Sequence, residues 1–270
     1  MSREGGYRVL LIDLDGTVVD YAQTEANALT AIHGAFFRRY VPLPAFRAAF
    51  HARNDELWAT YRRHQIDLDC VRTLRFARFL TDLGIPHKPG AAPEIAARFE
   101  HELGRAVVLF EDALPALRAL ARVCCLVLVT DGIAEVQHAK LGRARLRSFF
   151  RAVVISSEVG YRKPDPALLL RALAQVDADR GTALMVGDSP VSDGAGARAA
   201  GIDFCWVNRA ELRDPAGPPR PAGEPGLSAC FEVPDLTALS RIMIAVDSQR
   251  TGLKTHRDQR TGRGLARTGG

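Results

Sequence analysis

The chain has 270 residues, of which 47% are hydrophobic and 25% charged, a balance typical of a folded globular protein. Its five cysteines contain no C-x-x-C pair, and no apolar stretch approaches the length of a membrane span, so the pattern argues against a zinc-binding module, a disulfide scaffold and a membrane protein. The net charge of +5 comes from residues 249–270, because the rest of the chain carries 30 basic and 30 acidic residues.

The basic C-terminal segment has almost nothing to bury, so we predict that residues 246–270 form a disordered tail. Weak binding of RNA or another polyanion by this tail is the alternative, and no specific nucleic acid is expected as a partner. The cysteine usage and the lack of a recognisable secretory signal predict a cytoplasmic protein. We expect a monomer or a homodimer.

Strands and helices alternate along most of the chain. Apolar runs with strand character are Val9–Ile12, Cys124–Val129, Ala152–Ile155, Ala183–Val186 and Phe204–Val207. Helical spacing is found over Ala113–Ala121, Ile133–Phe149, Pro166–Gln175 and Val191–Ala200, with a last short helix over Leu236–Ala245. This alternation predicts an α/β fold in which a parallel sheet is covered on both faces.

A long insertion separates the first two predicted strands, where roughly a hundred residues intervene instead of the usual short crossover. Helical patterns within it are Thr24–Arg39, Pro44–His64, Asp69–Asp82 and Pro93–Leu103. Residues 20–108 are therefore predicted to form a small helical domain. Because it leaves the sheet directly after the first strand, it would sit over that strand's end and close on a substrate.

Two carboxylates follow the first strand, in Asp13-Leu14-Asp15-Gly16-Thr17. Side chains two residues apart on an extended chain share one face, and the carboxyl ends of parallel strands are where such sheets bind ligands. Asp13 and Asp15 would therefore converge on one substrate or cation, and an aspartate beside Mg²⁺ is a plausible nucleophile toward phosphorus. The alternative is an acidic turn that closes the strand.

The second predicted strand ends in Thr130-Asp131-Gly132. The Thr130 hydroxyl would hydrogen-bond a phosphoryl oxygen, and the following backbone amides would form an anion-binding nest. Ordinary turn chemistry explains the same residues.

The fourth strand ends at Asp188, and Asp193 follows five positions later. With Asp13 and the carbonyl of Asp15, these carboxylates would complete the oxygen-only shell that Mg²⁺ prefers, although Asp188 alone would also serve as a helix cap. Lys163 is one of only four lysines beside 32 arginines, and its ammonium would neutralise a carboxylate and a phosphoryl group together. A solvent-facing lysine is the alternative there.

The order of these four strand-end signals resembles the motifs of the haloacid dehalogenase-like hydrolases. Residues 13–17 are similar to the first motif, Thr130 to the second, Lys163 in Arg-Lys-Pro-Asp to the third, and residues 187–193 to the fourth. The resemblance covers about residues 8–208. It implies a Rossmann-like, doubly wound parallel sheet core, residues 1–19 and 109–245, with an inserted α-helical cap over residues 20–108.

The resemblance also implies roles for the motif residues. Asp13 would be the nucleophile, and Asp15 the general acid and base that protonates the leaving oxygen and then activates water. The phosphate-binding set would be Thr130, Asp131, Gly132 and Lys163. The Mg²⁺ ligands would be Asp13, the Asp15 carbonyl, Asp188 and Asp193. Many relatives carry Asn where Asp131 stands, so we expect its carboxylate to turn away from the phosphate or to meet a cation.

The second aspartate also separates the reactions of this family. Dehalogenases resemble Asp-x-Tyr or Asp-x-Phe at the first motif and use no Mg²⁺, so Asp15 disfavours dehalogenation. Phosphonatases use a cap lysine to form an imine, and the insertion's one lysine is Lys88, in a Pro-Gly break. Phosphomutases share the aspartate pair and stay open. Hydrolysis of a small phosphomonoester is the most economical interpretation.

Residues around the fourth motif, together with Glu158-Val159-Gly160, are similar to the nucleotidase branch that dephosphorylates pyrimidine nucleoside monophosphates. Phosphoglycolate or a sugar phosphate is the alternative substrate, and a non-catalytic binding module with this fold is the alternative of another class. Candidate contacts to the leaving group in the insertion are His33, Phe36, Phe37, Arg53, Trp58, Tyr61 and Arg62.

Overall fold

A computed structural model describes residues 6–63, 65–209 and 231–261. The chain divides into two compact units. The sheet unit comprises Met1–Asp20, Leu109–Gln137 and Ala144–Gly270, and the helical unit comprises Tyr21–Val108 and His138–Arg143. The helical unit therefore includes residues 138–143, which the sequence had assigned to the sheet core.

The sheet unit is built on six parallel strands in the order β3-β2-β1-β4-β5-β6. Their bounds are Val9–Ile12 (β1), Cys125–Thr130 (β2), Ala152–Ile155 (β3), Ala183–Gly187 (β4), Asp203–Val207 (β5) and Phe231–Val233 (β6). This strand order is that of a Rossmann-like doubly wound sheet. The predicted fold class is confirmed.

Burial on both faces explains why the strands were recognisable as continuous apolar runs. All four residues of β1 are buried, and Leu11 lies between Val127 of β2 and Met185 of β4. β6 was not predicted, because it has only three residues and follows a stretch rich in Pro and Gly. Residues 213–226, whose Pro and Gly content predicts an irregular loop, lie outside the described residues.

The helices of the sheet unit are α5 (Ala113–Leu120), α6 (Ala134–Arg143), α7 (Ser156–Val159), α8 (Pro166–Ala174), α9 (Ala195–Ala200) and α10 (Leu236–Thr261), of which α6 is shared with the helical unit. The single helix predicted over 133–149 ends early because Arg145 adopts a left-handed backbone, φ 54°, and a 3₁₀ turn at Arg147–Phe149 follows. The helix predicted over 191–200 begins instead as a π-helical turn, Pro190–Gly194.

The last helix is longer than predicted and enters the segment expected to be disordered. Its buried residues Leu236, Leu239 and Met243 anchor the first turns, and each later residue then adds a helical hydrogen bond without a new nucleation cost. The helix continues to Thr261, and disorder in the tail over 246–270 stays a prediction. Residues 262–270 lie outside the described part of the chain.

The helical unit contains α1 (Tyr21–Ile32), a π-helical turn (His33–Phe37), α2 (Leu43–Arg62), α3 (Leu68–Asp82) and α4 (Ala91–Arg105). The Asp67 side chain caps α3 by accepting from the Cys70 amide at 2.7 Å. Six buried phenylalanines form its interior, namely Phe37, Phe46, Phe50, Phe76, Phe79 and Phe99. Across the described ranges, no helix has both the length and the apolar character required to cross a bilayer.

Candidate active site

The predicted site residues of the sheet unit follow strands that are neighbours in the sheet. Asp13 follows β1, Thr130 ends β2 and Asp188 follows β4, and these strands adjoin in the order β2-β1-β4. Lys163 lies in the loop before α8, and Asp193 lies in the π-helical turn after β4. The carboxyl edge of the sheet therefore brings these residues together, as parallel topology requires.

Three carboxylates form a cluster at this edge. Oxygens of Asp13, Asp188 and Asp193 lie within 4.8 Å of one another, and Asp13 and Asp193 are buried. Asp193 Oδ2 accepts a hydrogen bond from the Ser189 amide at 3.1 Å, whereas Asp193 Oδ1 accepts none from the described residues. A largely buried set of carboxylate oxygens has the chemistry of a hard-cation site.

Lys163 places a buried ammonium against the cluster. Its Nζ donates to Asp13 Oδ1 at 2.5 Å and lies 2.8 Å from Asp193 Oδ1, in ion-pair contact but without hydrogen-bond geometry. The Lys163 side chain is only 3% exposed, so the solvent-facing alternative is wrong. Three carboxylates and one ammonium leave a formal excess of two negative charges, which one divalent cation would neutralise.

Burial and mutual repulsion perturb the titration of this cluster. Burial raises the pKa of Asp13 well above its ordinary value; Lys163 opposes this shift, and Asp193 and Asp188 add to it. Burial and then Asp193 raise the pKa of Asp188 to about 6. For Lys163, burial acts to lower the pKa, but Asp13, Asp193 and Asp131 raise it well above its ordinary value, so the ammonium stays charged.

Two glycines allow the backbone to approach the carboxylates closely. Gly16 has φ +94°, and a Cβ there would overlap the Asp188 carboxylate. A Cβ at Gly187 would overlap the Asp193 carboxylate. Any larger residue at either position would therefore displace a carboxylate of the cluster.

The second motif has a hydrogen-bonding pattern that the sequence did not reveal. The Gly132 amide, predicted to face an anion, donates to Ser156 Oγ at 3.0 Å. The Asp131 carboxylate accepts from the backbone amide of Lys163 at 3.2 Å, so it turns toward the loop that carries the lysine. Burial raises the pKa of Asp131, and the Lys163 charge opposes that shift.

Asp15 has a partner that sequence reasoning missed. Gln137 Nε2 lies 3.0 Å from Asp15 Oδ2, 2.7 Å from Thr130 Oγ1 and 3.0 Å from the Asp131 carbonyl oxygen. Gln137 is 1% exposed and belongs to the first turn of α6. Its spacing from buried Leu141 puts it on the apolar face of that helix, and this polar residue on an apolar face was the available signal.

Two further residues support the backbone of the site. Trp206 Nε1 donates to the Asp188 carbonyl oxygen at 3.0 Å. Arg209 donates to the Thr17 carbonyl oxygen at 2.8 Å and forms two hydrogen bonds with the Asp112 carboxylate, at 2.9 and 3.0 Å. These contacts hold the backbone that follows β1 and β4.

Some of the insertion's candidate residues have structural partners within the helical unit. Phe37 is 1% exposed and packs against Phe46 and Phe79. Arg53 pairs with Asp82 at 2.7 Å, and His33 Nε2 lies 2.7 Å from the Val41 carbonyl oxygen. The Arg62 side chain lies outside the described part of the chain.

Comparison with known proteins gives the same family as the motifs. The family model "haloacid dehalogenase-like hydrolase" matches residues 7–201. Phosphoserine phosphatase of Thermus thermophilus is 32% identical over 223 residues, covering 75% of this chain and 89% of that protein. Pyrimidine 5'-nucleotidase PynA of Streptococcus pneumoniae is 30% identical over 213 residues, covering 77% of this chain and 86% of that protein.

Solved structures share the architecture. YfnB of Bacillus subtilis, in a crystal structure bound to magnesium, superposes with a TM-score of 0.75 at 25% identity and covers 88% of this chain and 99% of its own. A 2-haloacid dehalogenase of Pseudomonas syringae superposes with a TM-score of 0.63 at 25% identity, and the match covers 88% of this chain and 98% of the dehalogenase. Motifs, strand order and comparisons agree, and the chain belongs to the haloacid dehalogenase-like hydrolases.

Proposed function

We propose that this hydrolase is a Mg²⁺-dependent phosphomonoesterase that forms an aspartyl phosphate on Asp13. One observation carries the proposal: the two aspartates of the first motif have different environments. Asp13 lies in the acidic cluster against Lys163, whereas Asp15 is hydrogen-bonded by Gln137. One carboxylate is thus placed to attack phosphorus while the other exchanges protons. A dehalogenase, whose first motif resembles Asp-x-Tyr or Asp-x-Phe, has no such second carboxylate.

The acidic cluster fits Mg²⁺ by charge and by donor type. Asp13, Asp188 and Asp193 would hold the ion, with the Asp15 carbonyl as the ligand that the family resemblance implies. The oxygen-only donor set and the formal excess of two negative charges support this assignment. When bound, the ion supplies positive charge that offsets the repulsion between phosphoryl oxygens and carboxylates.

The side chains divide the reaction into two balanced steps. First, an Asp13 oxygen bonds to phosphorus and the ester P–O bond breaks, while Asp15 gives its proton to the departing oxygen. Second, Asp15 takes a proton from water, whose oxygen bonds to phosphorus and releases Asp13 and inorganic phosphate. Throughout both steps, the Thr130 hydroxyl and the Lys163 ammonium would hold phosphoryl oxygens.

A nucleoside monophosphate is the substrate that we favour. The similarity to pyrimidine 5'-nucleotidase PynA and the residues around the fourth motif support this choice. Phosphoglycolate or a sugar phosphate is the second candidate, and the similarity to a phosphoserine phosphatase supports a small phosphorylated metabolite in general. Comparison of kcat/KM for uridine 5'-monophosphate, phosphoglycolate, phosphoserine and glucose 6-phosphate tests the choice. Equal values for all four would contradict a nucleotidase.

Hydrolysis of p-nitrophenyl phosphate tests the reaction class. The wild type should turn over with Mg²⁺ and lose activity in EDTA, and Asp13→Asn should be inactive while keeping the wild-type thermal unfolding midpoint within a few degrees. Activity that is indifferent to EDTA would contradict the metal requirement. A wild type without turnover of any phosphomonoester would favour a binding module with this fold.

A further inference from the structure

We propose that Gln137 is a positioning residue that orients the Asp15 carboxyl toward the leaving oxygen. The inference rests on the proposed function, because it assigns a partner to the general acid of that reaction. The geometry that carries it is one buried amide that spans two motifs. Gln137 Nε2 reaches Asp15 Oδ2 at 3.0 Å and Thr130 Oγ1 at 2.7 Å, and the residue is 1% exposed.

The hydrogens of the Gln137 NH₂ group are shared among the side chains and backbone around it, and they constrain both Asp15 and Thr130. An NH₂ group has two hydrogens, and three oxygens surround this one: those of Asp15, Thr130 and the Asp131 carbonyl. Thr130 Oγ1 accepts from Gln137 and donates to the Asp131 carbonyl oxygen at 3.3 Å, so a phosphoryl oxygen would take the place of that long contact. Donation to Asp15 Oδ2 fixes the direction of the Asp15 carboxyl group.

The oxygen of the Gln137 amide, Oε1, is consistent with the same role. Within the described residues, Gln137 Oε1 is buried and accepts no hydrogen bond. Burial of an amide oxygen without a donor is unfavourable, so the free energy that keeps Gln137 in this place comes from the contacts of Nε2 and from packing. A glutamine retained only for packing would be replaceable by methionine, which has a similar shape and no donor.

The consequence for catalysis depends on the leaving group. An alkyl phosphate has a poorly acidic alcohol as its leaving group, and departure therefore needs a proton from Asp15. p-Nitrophenolate leaves without one. A misoriented Asp15 should thus lower kcat/KM for an alkyl phosphate far more than for p-nitrophenyl phosphate. A loss of phosphate binding at Thr130 should lower both equally, so the ratio of the two kcat/KM values isolates Asp15.

The test is Gln137→Met, assayed with p-nitrophenyl phosphate and with the best alkyl phosphate among uridine 5'-monophosphate, phosphoglycolate and glucose 6-phosphate. We expect the alkyl-to-aryl ratio of kcat/KM to fall roughly 10- to 100-fold, the usual cost of losing a residue that orients a reactive group. Gln175→Met, at the exposed end of α8, is the matched control and should leave the ratio unchanged. Thr130→Val should lower both activities, because it removes a hydroxyl that would hold a phosphoryl oxygen.

A double-mutant cycle completes the design. In an Asp15→Asn background the ratio should already be low, and adding Gln137→Met should not lower it further, because both changes remove the same proton transfer. If Gln137→Met does not fold, as judged by its thermal unfolding, Gln137→Leu also removes the donor without adding a charge and should lower the ratio in the same way.

The outcomes separate the inference from the proposed function. An active wild type and an unchanged ratio in the folded glutamine variant would overturn the role of Gln137 alone. An equal fall for both substrates would also overturn it, since the effect would then act through Thr130. A wild type without Mg²⁺-dependent turnover would remove the proposed function and this inference together.

Discussion

Replacement of Lys163 by methionine should strongly destabilise the metal-free protein, and the size of the loss should depend on Mg²⁺ and on pH. The substitution keeps most of the side-chain volume but removes the ammonium that contacts Asp13 at 2.5 Å and Asp193 at 2.8 Å. All three side chains are at most 7% exposed, so water cannot replace the ammonium as the partner of the two carboxylates. Breaking a buried ion pair on one side typically costs about 3 to 5 kcal/mol. For a protein of this size that corresponds to a fall in Tm of roughly 10 °C.

The same substitution should show a specific rescue. Mg²⁺ would compensate the stranded carboxylates, so the loss in the free energy of unfolding should shrink when the ion is added. A lower pH should also reduce the loss, because the carboxyls of Asp13 and Asp188 have raised pKa values and take up protons more readily in the folded protein. Turnover should fall in every condition.

Urea unfolding in EDTA and in Mg²⁺, at pH 5 and pH 7.5, measures these effects. Lys88→Met is the matched control, because that side chain is 78% exposed and lies 3.5 Å from Glu94. An exposed pair of this kind contributes about 0 to 1 kcal/mol. A loss for Lys163→Met as small as that of the control, or a loss that Mg²⁺ does not reduce, would refute the reasoning.

Three further predictions follow from individual contacts. Gly16→Ala should weaken the Mg²⁺-induced rise in Tm, because its Cβ would displace the Asp188 carboxylate, whereas Gly142→Ala in α6 meets nothing within 4 Å and should leave that rise unchanged. In the metal-free protein, the Asp188 pKa of about 6 exceeds the ordinary value of a carboxyl, so folding favours its protonated form and stability should fall by about 3 kcal/mol as pH rises from 4 to above 6. Asp188→Asn should reduce that slope in urea-unfolding midpoints, because the raised pKa values of Asp13 and Asp131 give a slope of the same sign, and an unchanged slope would contradict the assignment. Arg209→Leu leaves the Asp112 carboxylate without its guanidinium and should lower the free energy of unfolding by about 3 kcal/mol or more, and a loss below 1 kcal/mol in urea would contradict a buried pair.

The sheet was predictable because its strands are buried on both faces. Val9–Ile12 and Ala152–Ile155 matched their predicted bounds, since continuous apolar runs leave little ambiguity in a parallel sheet. Lys163 was identified by its order among the motifs, and the structure places its buried side chain against Asp13. The short strand Phe231–Val233 and the π-helical turn at Pro190–Gly194 carry no periodic pattern, so the sequence did not reveal them.

The partners of the supporting residues were not predictable for a different reason, although the place of Gln137 on an apolar helix face could have marked that residue itself. Gln137 lies 122 positions from Asp15, and Arg209 lies 97 positions from Asp112. Pairings of that separation depend on how strands are ordered in the sheet, and a single sequence has no local signal for them. The conformation of Asp131 is a similar case, because the direction of its carboxylate depends on the Lys163 backbone.

The central claim is that Asp13 is phosphorylated during turnover, and chemical trapping tests it most directly. The enzyme is mixed with Mg²⁺ and excess phosphomonoester, quenched during steady-state turnover, and treated with borohydride, which reduces an aspartyl phosphate to homoserine. Peptide mass spectrometry should find homoserine at position 13, and Asp13→Asn should show none. Turnover without a trapped residue, or trapping at Asp15 or any other position, would contradict the account.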